Sequence, residues 1–253
     1  MEKMPAWADV VLVPLISLLL AAAISALVIM GIGEDPVAAV KMMVSGALGS
    51  TYGWGYTLYY ATNFMFTGLA VSVAFHAKMF NIGGEGQAMI GGLGVALMAL
   101  FIPWPHWSLA LIFCSIGGAV FGALWALIPA ILQAKRGSHI VITTIMFNFM
   151  AAALLNYLLV SILRPVKSMD AATPSFPEPT HLPTLHDLLM PLGIEFSKSA
   201  PANVSLLLAL AAAVFVWVLI WRTRLGYALR AFGHSDTAAQ YAGINPVKIT
   251  ILA

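Results

Sequence analysis

Charge is what this sequence has least of. Of its 253 residues only 9% are charged, while 61% are hydrophobic. Soluble domains carry about 25% charged residues and about 45–50% apolar ones. A soluble fold this apolar would expose large adhesive patches, so a soluble enzyme and a disordered chain are both excluded. An excess of one sign is also missing: 12 basic residues face 10 acidic ones, for a net charge of +2. That balance excludes nucleic acid as a partner. Cysteine occurs once, at Cys114 inside an apolar run, so an internal disulfide or a thiolate metal cage cannot form. The six histidines are scattered, with no pair at ligand spacing on one helix, and no metal or other cofactor is expected. The dipeptide Gly-Lys does not occur, so there is no phosphate-binding Walker loop and no ATPase motif in this chain.

What the sequence does have is long apolar runs. A membrane-spanning helix needs about 20 such residues. Six runs meet or approach this: Val10–Met30, Leu58–Phe75, Gln87–Ile102, Leu109–Leu132, Ile140–Leu163 and Val204–Trp221. They are continuously apolar rather than alternating, which favours helices over a membrane β-barrel. The first run is too long for a signal peptide and lacks a convincing cleavage site. Asn245 followed by Pro246 suits the cap and first turn of a seventh helix, cut off after Ala253. The expected fold is therefore an all-α polytopic bundle in one domain, with six spans and the start of a seventh, from a longer protein.

Lysine and arginine orient the spans. With the N-terminus in the cytoplasm, Lys3, Lys78, Lys135, Arg136, Arg222, Arg224, Arg230 and Lys248 fall inside. Lys41, Arg164, Lys167 and Lys198 fall outside. The inner acids are Glu2, Asp9, Glu85 and Asp236. Two outer segments are long. Residues 31–57 contain Pro36, Val37, Val40, Met43 and Val44, spaced like a short interfacial helix. Residues 164–203 are proline-rich and read either as a docking surface or as a tether.

Four segments carry further information. Phe80-Asn-Ile-Gly-Gly-Glu-Gly-Gln87 sets three glycines among Asn81, Glu85 and Gln87 between two apolar spans. Polar backbone within a membrane lines a cavity or is buried in protein. The segment reads either as a helix break beside a transport route or as a turn in which Glu85 caps the next helix. Small residues at four-residue spacing, Gly84/Ala88/Gly92/Ala96 and Gly118/Gly122/Ala126/Ala130, form ridges for close helix packing. In the fifth run Ser138 suits a helix cap, and Thr144 and Asn148 share one face. Their amide and hydroxyl groups serve either helix-to-helix bonding or a polar route. Finally, Gly233 is expected to break the helix that follows the sixth run. Ser235 then caps a short helix over Asp236–Ala242, with Asp236 at its positive end and Gly243 closing it. A helix so short needs something to hold it.

These segments resemble the permease subunits of bacterial ATP-binding-cassette (ABC) importers, in the branch for simple sugars and nucleosides of the branched-chain amino acid/sugar permease family. The matching words are Phe80–Gln87, Val141-Ile-Thr-Thr-Ile-Met-Phe-Asn148, Leu225-Gly-Tyr-Ala-Leu-Arg-Ala-Phe-Gly233 and Ala238-Ala-Gln-Tyr-Ala-Gly-Ile-Asn245. The family often carries an acid where this sequence has Ile140, so no charged role is implied there. The resemblance implies a multi-pass protein of the bacterial inner (plasma) membrane, in contact with lipid. It implies cytosolic ABC ATPase subunits, a second permease subunit and an extracytoplasmic substrate-binding protein as partners. Asn81, Glu85, Gln87, Thr144 and Asn148 would lie by the substrate route. Ser235, Asp236, Ala239, Tyr241, Gly243 and Asn245, within a cytoplasmic segment over 222–247, would couple to the ATPase. An ion-gradient-driven transporter is the alternative; it would be expected to hold several ionisable residues within the membrane, and only Glu85 is available.

Overall fold

A computed structural model describes residues 7–166 and 168–253. Glu2, Lys3 and Lys167, together with the side chain of Asp9, lie outside the described residues. Among those described, the architecture is helical, with one isolated bridge between Thr184 and Asn203. Six helices are long and apolar enough to cross a membrane.

A π-helical turn, Ala8–Leu12, leads into α1 (Val13–Gly31). No described residue of α1 is buried. The expected short helix follows as α2 (Pro36–Leu48). Asp35 caps it by accepting the Val37 N–H at 2.9 Å, and Pro36 occupies the first turn, where its missing N–H is harmless. Next comes α3 (Thr51–His76), which starts seven residues before the expected Leu58. Ser50 caps it through the Gly53 N–H, and the Thr57 hydroxyl donates to the Ala47 carbonyl at 3.0 Å. The early turns carry Tyr52, Trp54, Tyr56, Tyr59 and Tyr60, with the Tyr52 and Tyr56 rings 4.8 Å apart. Such a ring cluster suits the membrane–water interface. It is polar enough to escape a search for apolar runs.

The bundle is densest where α4 (Gly84–Phe101) meets α5 (Trp107–Arg136). A methyl group built on Gly94 would lie 2.7 Å from the Gly117 carbonyl oxygen, and one on Gly118 would meet the Val95 side chain at 2.9 Å. The seam therefore admits little beyond glycine. On α5 the expected Gly118 and Gly122 do face it. On α4 the seam runs through Gln87, Gly91 and Gly94, whereas Gly84 and Gly92 face open space. Four-residue spacing alone cannot choose among the parallel rows of a glycine-rich helix.

The last turn of α5 ends on Gly137 in the left-handed region (φ +67°). The Gly137 N–H bonds Gln133 O at 3.1 Å, and the Ser138 N–H bonds Leu132 O at 3.4 Å. Ser138 is thus spent on closing α5. It does not cap α6 (Ile140–Ser161), whose cap position is His139.

Between α6 and α8 the stretch 178–204 is folded. It holds a short helix, α7 (Leu185–Leu189), closed by a capping box between Thr184 and Asp187. The Leu185 N–H bonds Ala202 O, the His186 ring bonds Phe196 O, and Ala200 packs against Gly55 of α3. Hydrogen bonds from the Thr184 hydroxyl and N–H hold the Asp187 carboxyl below the ordinary carboxylate range. Next, α8 (Ser205–Arg222) packs along α3. It is followed by α9 (Arg224–His234), α10 (Asp236–Tyr241) and α11 (Pro246–Leu252).

Candidate functional site

Two irregular corners meet at one end of the bundle. The first links α3 to α4. The Lys78 N–H bonds Phe75 O, and the Met79 N–H bonds Ala74 O, both at 3.0 Å. This is the left-handed C-terminal motif, with Lys78 at φ +53° in a position that favours glycine. The motif tucks Met79 under the helix, where it is 8% exposed. Asn81 Oδ1 then accepts the Gly83 N–H at 2.8 Å, forming a local turn.

α4 begins at Gly84, so its cap residue is Gly83, which has no side chain to offer. The cap comes from α6 instead. Asn148 Oδ1 accepts the Gly86 N–H at 2.9 Å, and its Nδ2 donates to Ile82 O at 2.9 Å. One amide thus satisfies a donor and an acceptor of the break. Of the uses open to Asn148, helix-to-helix bonding is the one observed.

Beside this break lies a cavity of about 510 Å³. Of the residues expected along a substrate route, Asn81, Gln87 and Thr144 line it. Thr144 is 1% exposed, and its hydroxyl bonds the Ile140 carbonyl at 2.8 Å. Glu85 is not in the lining. It is exposed in the first turn of α4 and makes no capping hydrogen bond, although a carboxylate there suits the helix dipole. The rest of the wall is chiefly apolar, with Leu124, Leu127 and Pro129 from α5 and Thr250 from α11. Its described lining holds no Asp, Glu, Lys, Arg or His. Sequence reasoning missed Met79, Pro129 and Thr250; a proline deep in an apolar run was the one signal on offer.

The second corner joins α9, α10 and α11. Ser235 Oγ accepts the Ala238 N–H at 3.2 Å, and Asn245 Oδ1 accepts the Lys248 N–H at 3.2 Å. Gly243 sits at φ +81°. Asp236 occupies the first turn of α10 and accepts the Thr237 N–H at 2.7 Å. Ala239 is 3% exposed and anchors α10, whereas Tyr241 is 96% exposed. Gly233 does not break its helix, because α9 continues to His234 and ends at the extended Ser235. It permits a close approach instead: a side chain there would strike the His76 carbonyl. Around that contact Ala77, Met79, Leu229 and Ile249 form a buried core shared by the two corners. The Arg230 guanidinium lies 4.5 Å from the Trp221 ring centre, a cation–π contact at the same end. No group of three His, Cys, Asp or Glu side chains that could hold a metal occurs among the described residues.

The family described as branched-chain amino acid transport system / permease component matches residues 53–253. The chain belongs to this permease family. Its relatives include the guanosine ABC transporter permease protein NupP of Bacillus subtilis, 32% identical over 240 residues, which are 92% of this chain and 64% of that protein. The glucose ABC transporter permease protein TsgB13 of Haloferax volcanii is 33% identical over 232 residues, 92% of this chain and 60% of that protein. The nucleoside ABC transporter permease protein NupB of Lactococcus lactis is 30% identical over 244 residues, 96% of this chain and 66% of that protein. The permease chain thus spans between 60% and 66% of the length of these relatives. No solved structure matches it.

Proposed function

We propose that this chain forms the membrane-spanning pathway of an ATP-driven importer for an uncharged polar solute, a nucleoside or a simple sugar. The observation that carries this reading is the cavity beside the α3–α4 break. Its polar groups are the amides of Asn81 and Gln87 and the hydroxyls of Thr144 and Thr250, and its described lining holds no ionisable side chain. Neutral donors and acceptors in an apolar wall suit a solute rich in hydroxyl or amide groups. An ion or an ion-coupled mechanism calls for charged groups within the membrane. The names of the relatives, guanosine, nucleoside and glucose permeases, agree with that solute class.

The protein is placed in the bacterial inner membrane with its N-terminus and the 222–247 segment on the cytosolic side, as the lysines and arginines favour. There α10 offers Ser235, Asp236 and the exposed Tyr241 to a cytosolic ATPase, while Ala239, Gly243 and Asn245 hold its shape. ATP binding would pull on this segment and shift the spans between outward- and inward-open states. Such a shift needs contacts that differ between the two states. A second permease and an extracytoplasmic binding protein complete the assembly, and the outer segment over 164–203 is the surface offered to the latter.

The test is ATPase activity of the full-length permease reconstituted with its neighbouring ATPase and binding protein, over a panel of nucleosides and sugars. Stimulation by one of these solutes is the expected result. Uptake by the permease alone, driven by an ion gradient and without co-purification of the ATPase, overturns the reading.

A further inference from the structure

The helix α3 is fastened at both ends by contacts in which little can turn. At the outer end, a methyl group built on Gly55 would strike the Ala200 methyl and lie 3.1 Å from the Phe196 ring. Ala200 belongs to the 178–204 stretch and is 3% exposed. The α2 helix grips the same turns through Gly53, which abuts the Gly46 carbonyl, and through the bond from the Thr57 hydroxyl to Ala47 O. At the inner end, the His76 carbonyl abuts Gly233 of α9, and a methyl group on Gly233 would lie 3.2 Å from the Ala77 Cα. That contact is backbone against backbone. A long side chain absorbs a small displacement by changing rotamer, whereas close-packed backbone passes it on.

At about 1.5 Å per residue, Gly55 and His76 stand about 32 Å apart along the helix. The hydrocarbon core of a bilayer is about 30 Å thick. One helix therefore joins the two contacts across the membrane. It contains no proline, whereas α5, which also crosses the bundle, carries Pro129 and loses a bond from its backbone ladder there. The neighbouring α8 backs α3 and shares both ends. The 178–204 stretch runs straight into α8, with the Val204 N–H bonding Pro183 O at 3.2 Å. At the inner end, Trp221 of α8 meets the His76 ring edge-on at 5.9 Å. Thr223 closes the elbow to α9 by donating to Leu219 O and accepting the Gly226 N–H. Ser235 then ends α9 and caps α10.

We infer that α3 is the strut that couples the extracytoplasmic docking surface to the ATPase-facing α10, with Gly55 and Gly233 as its positioning residues. This assignment rests on the importer reading proposed above. Solute touches neither glycine in this scheme. Coupling between two sites is reciprocal, so nucleotide bound inside changes the affinity of the binding protein outside by the same factor as the reverse.

The test measures the affinity of the solute-free binding protein for the full-length permease–ATPase complex, with and without adenylyl imidodiphosphate. The wild-type complex is expected to show a ratio of about tenfold between the two affinities. Gly233→Ala wedges α9 off the His76 carbonyl and is expected to bring the ratio within about twofold of unity, and Gly55→Ala to about threefold. A residue that only stabilised the fold would leave the ratio intact. Gly68→Ala, in the middle of α3 with nothing within 4 Å of the added methyl, is the control and keeps the wild-type ratio. A Gly233→Ala complex with the wild-type ratio overturns the strut, as does a Gly68→Ala complex without it. If Gly233→Ala does not assemble, Gly55→Ala decides. If neither assembles, hydrogen exchange in the wild type decides: the amides of 183–204 are expected to change rate about threefold on addition of the nucleotide analogue, and unchanged rates overturn the strut. A wild-type complex that binds neither ATPase nor binding protein overturns the importer reading instead.

Discussion

The two corners at the α9–α11 end of the bundle are built on opposite plans. The corner over 234–246 closes with its own residues: Ser235 caps α10, Gly243 turns the chain, and Asn245 caps α11. The break over 77–83 has a glycine at the cap of α4 and borrows its missing group from Asn148, 62 residues along the chain. A corner closed locally keeps its shape wherever it moves. A break closed from afar keeps its shape only while two helices stay together. The first plan suits a rigid handle that transmits a push, and the second suits a wall whose geometry reports on the packing of α4 against α6.

The contrast breaks most visibly at Asn148. Asn148→Leu leaves the buried Gly86 N–H without its acceptor and frees the Ile82 carbonyl, and is expected to destabilise by about 2 kcal/mol. The unfolding midpoint in detergent reads this, and an unchanged midpoint would show that the break closes by itself. Asn148→Asp keeps the acceptor and should lose less. At the other corner, Ser235→Ala removes a local cap worth about 1 kcal/mol. Faster hydrogen exchange is expected at α10 amides while those of 83–87 stay protected; a rise at both sites would dissolve the distinction. A smaller effect of opposite sign is expected from Lys78→Gly. Relief of the left-handed backbone outweighs the added freedom of the unfolded chain, for a net gain of about 0.5 kcal/mol.

The smallest effect tests the local plan on the opposite kind of segment, the α7 loop. Folding lowers the Asp187 carboxyl through its bonds from Thr184. A lowered value means that the ionised form contributes stability above the ordinary carboxylate pKa of about 3.9, and loses it as pH falls through the folded value. Exchange at the α7 amides should therefore quicken below that range, with α10 unaffected. A Thr184→Val variant should return the carboxyl toward its ordinary value, read by carboxyl-carbon NMR titration.

Much of this fold was legible because it is local. The six spans follow from apolar length. Ser235, Gly243 and Asn245 name helix ends by chemistry acting over three or four residues. The rest depends on what lies across the bundle. Nothing within the sequence near Gly83 says that its cap sits on α6, although Asn148 was visible as an amide on an apolar helix. The glycine rows of α4 could not be ranked without α5 beside them. Ser138 looks like a cap for the helix after it and serves the helix before it. Gly233 looks like a breaker and is a contact. Glu85 drew attention as a carboxylate between spans, yet it is exposed and is not among the residues lining the cavity that Asn81, Gln87 and Thr144 line.

The remote cap also sets a clock on biogenesis. Gly86 and Ile82 leave the ribosome 62 and 66 residues ahead of the asparagine that satisfies them. At about 5–20 residues per second, that delay is roughly 3 to 13 s. Through this interval α4 reaches the membrane with an unfinished first turn, and only the arrival of α6 completes it. The order of synthesis thus makes α4 a helix that must wait, and a pause in translation between them would lengthen the time its bare amides are open to a wrong partner.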